Sequence, residues 1–187
     1  HKSNGGYHSA KLGIYQDVID KYLSNPKDYL YVYGMLNNRY IIGGDKKNPV
    51  AQINPTSMGN AWFAKELKYV DTPEQEFEAL GNSSNIYNAV VNKSFESKIT
   101  LKNLQYDANG KISLVSYIPD DMTYEYETAS PQFAVFSEVY YPESKGWHVY
   151  IDGQRKEGIV RTNYVLRGIE VPAGKHKLQM KFEPRSY

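Results

Sequence analysis

Apolar residues recur at helical spacing near the start of the chain. Leu12, Tyr15, Ile19, Tyr22 and Leu23 share one stripe, while Lys11, Asp17, Asp20 and Lys21 turn away from it. The pattern predicts an amphipathic helix over Ser9 to Leu23, with Ser9 as N-cap and Ser24-Asn25-Pro26 as the stop. Tyr29 to Tyr33 and Arg39 to Ile42 predict short strands or a buried turn. Gly43-Gly44-Asp45 predicts a hairpin turn, followed by a Pro- and Asn-rich segment through Pro55. Ala61 to Val70 reads as one strand. A second helix follows, with Thr72 as N-cap, Pro73 at the first helical position and Gln75 closing a capping box. Glu74 and Glu76 favour its dipole, and Gly81-Asn82 ends it.

From Ala89 onward the period shortens to two. Strands are predicted near 88–95, 98–106, 111–118, 122–129, 132–140, 147–152, 155–161, 164–171 and 175–183. Phe133, Val135 and Val139 oppose Ala134, Phe136 and Glu138. Trp147, Val149 and Ile151 oppose His148, Tyr150 and Asp152, and Leu178, Met180 and Phe182 face away from Lys177, Gln179 and Lys181. Asn109-Gly110 and Asp152-Gly153 read as two-residue hairpin turns needing positive φ. The fold class expected is α+β and predominantly β. An antiparallel β-sandwich occupies the C-terminal two thirds, with a small helical N-terminal portion. Residues 1–60 form the helical and hairpin portion and 61–187 the mainly β domain, with the sandwich starting about residue 88, or the two make one compact unit.

The length of 187 residues sets one domain as the default and allows a proper core without staples. Lys and Arg number 22 against 21 Asp and Glu, a net charge of +1, which argues against a nucleic-acid partner. Eighteen Tyr in a chain that is polar on average point to aromatic cross-strand pairs and half-wet surfaces. With no Cys, disulfides, zinc–thiolate sites, iron–sulfur clusters and a cysteine nucleophile are excluded. No apolar run is long enough to span a bilayer. The start at His1, with neither Met nor a signal-type stretch, reads as an excised piece of something larger.

Candidate chemistry is sparse. His1, His8, His148 and His176 show no ligand spacing, so no metal and no cofactor is expected. Asp120-Asp121 after Pro119 reads as turn chemistry rather than a glycosidase pair. Glu125 and Glu127 alternate with Tyr124 and Tyr126 as a solvated face. No nucleophile elbow, phosphate loop or dinucleotide fingerprint is present, so no catalytic residue is assigned. Asn82-Ser83-Ser84 and Asn92-Lys93-Ser94 match the glycosylation pattern, which is frequent by chance. One candidate for ligand binding remains, a sugar platform of Tyr140, Tyr141 and Trp147 with Arg161 and Arg167 downstream. Trp147 heads an apolar alternating face, which favours packing over a platform.

The C-terminal run is distinctive. Phe136-Ser137-Glu138-Val139-Tyr140-Tyr141-Pro142, Gly146-Trp147, Tyr150-Ile151-Asp152-Gly153, Arg161, Asn163-Tyr164-Val165-Leu166-Arg167, Val171-Pro172-Ala173-Gly174-Lys175-His176 and Phe182-Glu183-Pro184 resemble the YfhO-like family of bacterial membrane proteins. Upstream, Gly5-Gly6-Tyr7-His8, Tyr15-Gln16-Asp17, Met35-Leu36-Asn37 and Gly59-Asn60-Ala61-Trp62-Phe63 look like the same family. Glu143-Ser144-Lys145 lengthens a loop relative to the family pattern, and Asp120 stands where Asn is expected.

The resemblance implies a large multi-pass protein, similar to glycosyltransferases that use lipid-phosphate-linked sugars. This segment would be its late region at the extracytoplasmic face of the bacterial cell membrane, with a further membrane helix soon after Pro184. The implied role is non-catalytic alone, assisting envelope glycosyl transfer by binding glycan or positioning the membrane part. The implied partners are its own transmembrane domain and an envelope glycan or lipid-phosphate sugar. The alternative is a structural module docking on that membrane domain or on an envelope partner. Glu138, Arg161, Asn163, Arg167 and His176 are the polar positions of the run that turn chemistry does not explain.

Overall fold

The computed structural model describes residues 13–45 and 47–184. The first apolar stripe becomes α1 (Gly13–Val18), which runs on as a π-helical turn over Ile19–Leu23. The expected N-cap, Ser9, lies outside the described residues. Tyr22 is fully buried on that stripe and donates its hydroxyl to the Phe77 carbonyl at 2.8 Å. Tyr29 to Tyr33, expected as extended chain or turn, is instead largely helical, in α2 (Leu30–Met35). Val32 and Met35 fall three apart and are both buried, and this packing outweighs the β preference of Tyr31-Val32-Tyr33.

Strands β1 (Tyr40–Gly44) and β2 (Pro49–Ile53) pair antiparallel as a hairpin. Ala61 to Val70 is two strands rather than one, β3 (Ala61–Phe63) and β4 (Leu67–Val70), in different sheets. The Ala64 N–H donates to Phe133 and the Lys65 N–H to Tyr87, so the chain changes layers within one residue. The second helix, α3 (Pro73–Ala79), has the expected capping box between Thr72 and Gln75. β5 (Ala89–Asn92) lies parallel to β4. Asn82 and Asn92, the heads of the two glycosylation patterns, each accept the N–H two residues on and cap short 3₁₀ turns.

No strand forms over 98–106. That segment is an irregular strap whose backbone groups go to side chains instead of a ladder. Glu170 accepts the Thr100 and Leu101 N–H groups, and Gln132 Nε2 and Ser130 Oγ donate to the Gln105 carbonyl. Asn109-Gly110 consequently closes no hairpin, and neither residue has positive φ. Glycine at 110 lets the Phe63 ring pack closely, since a Cβ there would sit 3.0 Å from it and the ring would have to give way.

The remaining strands follow the two-residue period. They are β6 (Lys111–Ile118), β7 (Asp121–Thr128), β8 (Gln132–Val139), β9 (Trp147–Ile151), β10 (Gln154–Lys156), β11 (Val160–Thr162), β12 (Leu166–Val171) and β13 (Gly174–Phe182). The expected 155–161 strand is thus divided between β10 and β11, which join different sheets across Gly158 at φ +105°. Asp152 and Gly153, at φ +48° and +80°, form the expected two-residue turn between β9 and β10.

A five-stranded sheet, β10-β9-β13-β7-β6, packs on a four-stranded sheet, β11-β12-β8-β3. Between them lie Phe63, Met122, Tyr124, Phe136, Leu178 and Met180. The other face of the four-stranded sheet carries Phe133 and Val135 into a second core with Val18, Tyr22, Met35 and Val91. The fold is therefore a predominantly β, antiparallel sandwich backed by a helical layer and the β4–β5 pair. Both faces of β8 are buried, which accounts for its unbroken apolar run from Phe133 to Phe136.

Candidate functional site

Arg167 extends from β12 on the same side as Ile169 and Val171, toward the sandwich interior, and is 4% exposed. Its Nε donates to the Val139 carbonyl at 2.9 Å, and its guanidinium lies 4.1 Å from the centre of the Trp147 ring. Phe182 backs Trp147 at 5.4 Å. Burial pulls the Arg167 pKa down, opposed chiefly by the charge of Glu138. Trp147 therefore lids a buried cation, a role that uses the ring face a sugar would need.

Arg161 pairs in register with Arg167 on the neighbouring strand, yet its charge is met elsewhere. Its Nη2 and Nε donate to one oxygen of Glu76 at 2.7 and 3.2 Å, while the other oxygen accepts the Tyr164 N–H at 3.0 Å. Glu76 has no solvent exposure. Burial pushes its carboxyl up, against the pull of Arg161. Two like charges placed opposite each other are thus resolved by separate partners. Tyr140 is half-buried with its ring 5.8 Å from Phe95, and Tyr141 is 38% exposed. The structure brings Trp147 and Arg167 together, with the part-exposed Tyr141 close enough to act on the Arg167 charge, and sets Tyr140 and Arg161 on either side of Phe95.

The other polar positions of the run are also engaged. Asn163, at φ +48°, accepts the Val90 N–H through Oδ1 at 2.8 Å and donates through Nδ2 to the Asn88 carbonyl at 3.1 Å. It thereby fastens the β11–β12 turn to β5. His176 sets Nδ1 2.6 Å from Asp152 and Nε2 3.0 Å from the Ala173 carbonyl. The Asp152 hydrogen bond raises the His176 pKa, and the His176 hydrogen bond lowers that of Asp152. Among the described residues no group of three His, Asp or Glu could hold a metal ion.

The feature that composition concealed is the β1–β2 hairpin. Tyr40 pairs with Ile53 and Ile42 with Ala51 on one face, while Ile41 with Gln52 and Gly43 with Val50 make the other. Tyr40, Ile42, Val50 and Ile53 are 60%, 75%, 53% and 75% exposed. Arg39 and Lys47 add exposed cations at its base and tip. The Asp45 carboxylate is occupied by the Lys47 and Asn48 N–H groups. By contrast, the base of the hairpin is rigidly held. Buried Asn54 donates to the Asn38 carbonyl at 2.9 Å, the Thr56 hydroxyl donates to the Leu30 carbonyl at 2.9 Å, and the Met58 N–H donates to Gly34. The sequence signal for this site was the pair of short β-branched runs, Tyr-Ile-Ile and Val-Ala-Gln-Ile, flanking a turn with too few polar positions for a solvated hairpin.

No helix among the described residues is long and apolar enough to cross a membrane. Comparison of the chain with family models, with curated proteins and with solved structures finds no match.

Proposed function

We propose that this chain is an extracytoplasmic module of a YfhO-like membrane protein, non-catalytic by itself. It assists envelope glycosyl transfer by positioning the membrane-embedded part of its own polypeptide. The observation that supports this reading is the bare apolar hairpin on a rigid base. A two-stranded hairpin is marginal in water unless something covers it, and contiguous exposed apolar side chains mark contact surfaces.

The occupant best suited is the membrane domain that the sequence resemblance implies. Apolar side chains on both faces suit a wedge entering a cleft rather than a tile lying on a flat partner. A partner in the same polypeptide is present at high effective concentration, which keeps such a wedge covered. Positioning is favoured over glycan binding at Tyr140, Tyr141, Trp147, Arg161 and Arg167, because the Trp147 face and both guanidinium groups are already engaged within the fold.

The test is the full-length parent carrying Ile42→Ser and Ile53→Ser together. The variant should reach the membrane at the normal level and lose most of its glycosylation output. Normal output from a normally abundant variant would overturn the proposal.

A further inference from the structure

An open groove of about 620 Å³ runs between the free edge of β10 and the strap at Thr100 to Lys102. This volume falls in the range of small-ligand clefts. Ile151, Val171 and Pro172 supply apolar lining, and three cations, Lys102, Arg155 and Lys156, share the walls with two acids and with His176. Both acids are consumed inside the fold. Glu170 accepts the Thr100 N–H and hydroxyl at 2.5 Å each and the Leu101 N–H at 2.8 Å. Asp152 accepts from His176 at 2.6 Å and from the Lys177 N–H at 2.9 Å.

The cations are not spent in the same way. Among the described residues Lys102 and Lys156 have no ion pair, and Arg155 meets only the exposed Glu157, at 3.9 Å. The groove thus has basic groups on its strap and on its edge strand, with the carboxylates that would offset them held by other donors. Arg presents a planar donor fork and Lys a mobile point charge, a combination suited to an anion with several oxygens.

We propose that this groove binds the oxyanion group of a small phosphorylated or carboxylated ligand, with the ligand's less polar body against Ile151 and Val171. The site is separate from the hairpin and does not depend on the docking reading. The experiment is an amide NMR titration of the chain with inorganic pyrophosphate, with glucuronate and with neutral glucose. At least one anion should give saturable shifts along β10 and residues 100–102, weakening with added salt. The tighter of the two separates a phosphate ligand from a carboxylate one. Arg155→Ser with Lys156→Ser, both on an edge strand and outside the core, should weaken binding about tenfold, the loss expected of about 1.4 kcal/mol of contact. Lys102→Ser should act in the same direction from the opposite wall. Silence toward both anions would overturn the proposal, as would equal shifts with glucose or undiminished binding by a folded double variant.

Discussion

A carboxylate without solvent contact is expensive unless donors reach it, and Glu76 is reached by Arg161 and by the Tyr164 N–H. Removing it strands the Arg161 charge at the edge of the second core. Glu76→Ala should therefore cost about 3 kcal/mol in urea denaturation, and a loss under about 1 kcal/mol would show that the pair is dispensable. In the sequence Glu76 reads as an ordinary first-turn acid. The clue was its place four residues before buried Leu80, on the apolar stripe, but its partner lies 85 positions away. His176 makes a second residue-scale prediction. Both ring nitrogens face acceptors, and only the imidazolium donates from both. Its folded pKa is raised, so its contribution to stability is complete below the unfolded value of about 6.5 and fades as pH rises through the folded value. Asp152, with its pKa lowered, acts oppositely and loses its contribution only in acid. The stability gap between wild type and His176→Gln should shrink over the interval in which pH rises above about 6.5. A gap that widens over that interval would contradict the pairing.

The hairpin joins a bare blade to a fixed root. Amides of β1 and β2 should exchange at a far smaller opening free energy than those of β8, whose side chains are buried on both faces. Ile42→Ser should shift global stability by no more than about 0.5 kcal/mol, because the side chain is three-quarters exposed. Exchange in the blade as slow as in β8 would mean that something within the chain already covers it. Gly34 marks the root, since a Cβ there would sit 2.1 Å from the Thr56 carbonyl oxygen. Most long strands and the α3 cap were legible in the sequence because period, capping and turn chemistry are local signals. The α2 helix and the strap at 99–106 were not, because α2 is decided by burial of Val32 and Met35 in the second core, and the strap by Glu170 and Gln132 from distant strands.

At the scale of the whole molecule, the four-stranded sheet serves two cores, and Asn163 joins the layers by bonding β5 from the β11–β12 turn. Asn163→Ala should cost about 2–3 kcal/mol, through the lost hydrogen bonds to β5 and a left-handed backbone. Asn163→Gly should cost less, since it removes the bonds but suits the φ of +48°. Equal losses for the two variants would assign the whole effect to the side chain.

The Asn54 and Thr56 hydrogen bonds tie the root of the hairpin to this frame, and the exposed blade is the part left for a partner to cover. The direct measurement is site-specific photocrosslinking from position 42, and separately from Tyr141, in native membranes holding the longer YfhO-like polypeptide proposed above. Position 42 should crosslink within the same polypeptide, to peptides of its membrane-embedded part, while Tyr141 gives no such product. Capture by position 42 of nothing from the membrane part, in a polypeptide that is active and abundant, would rule out the proposed docking.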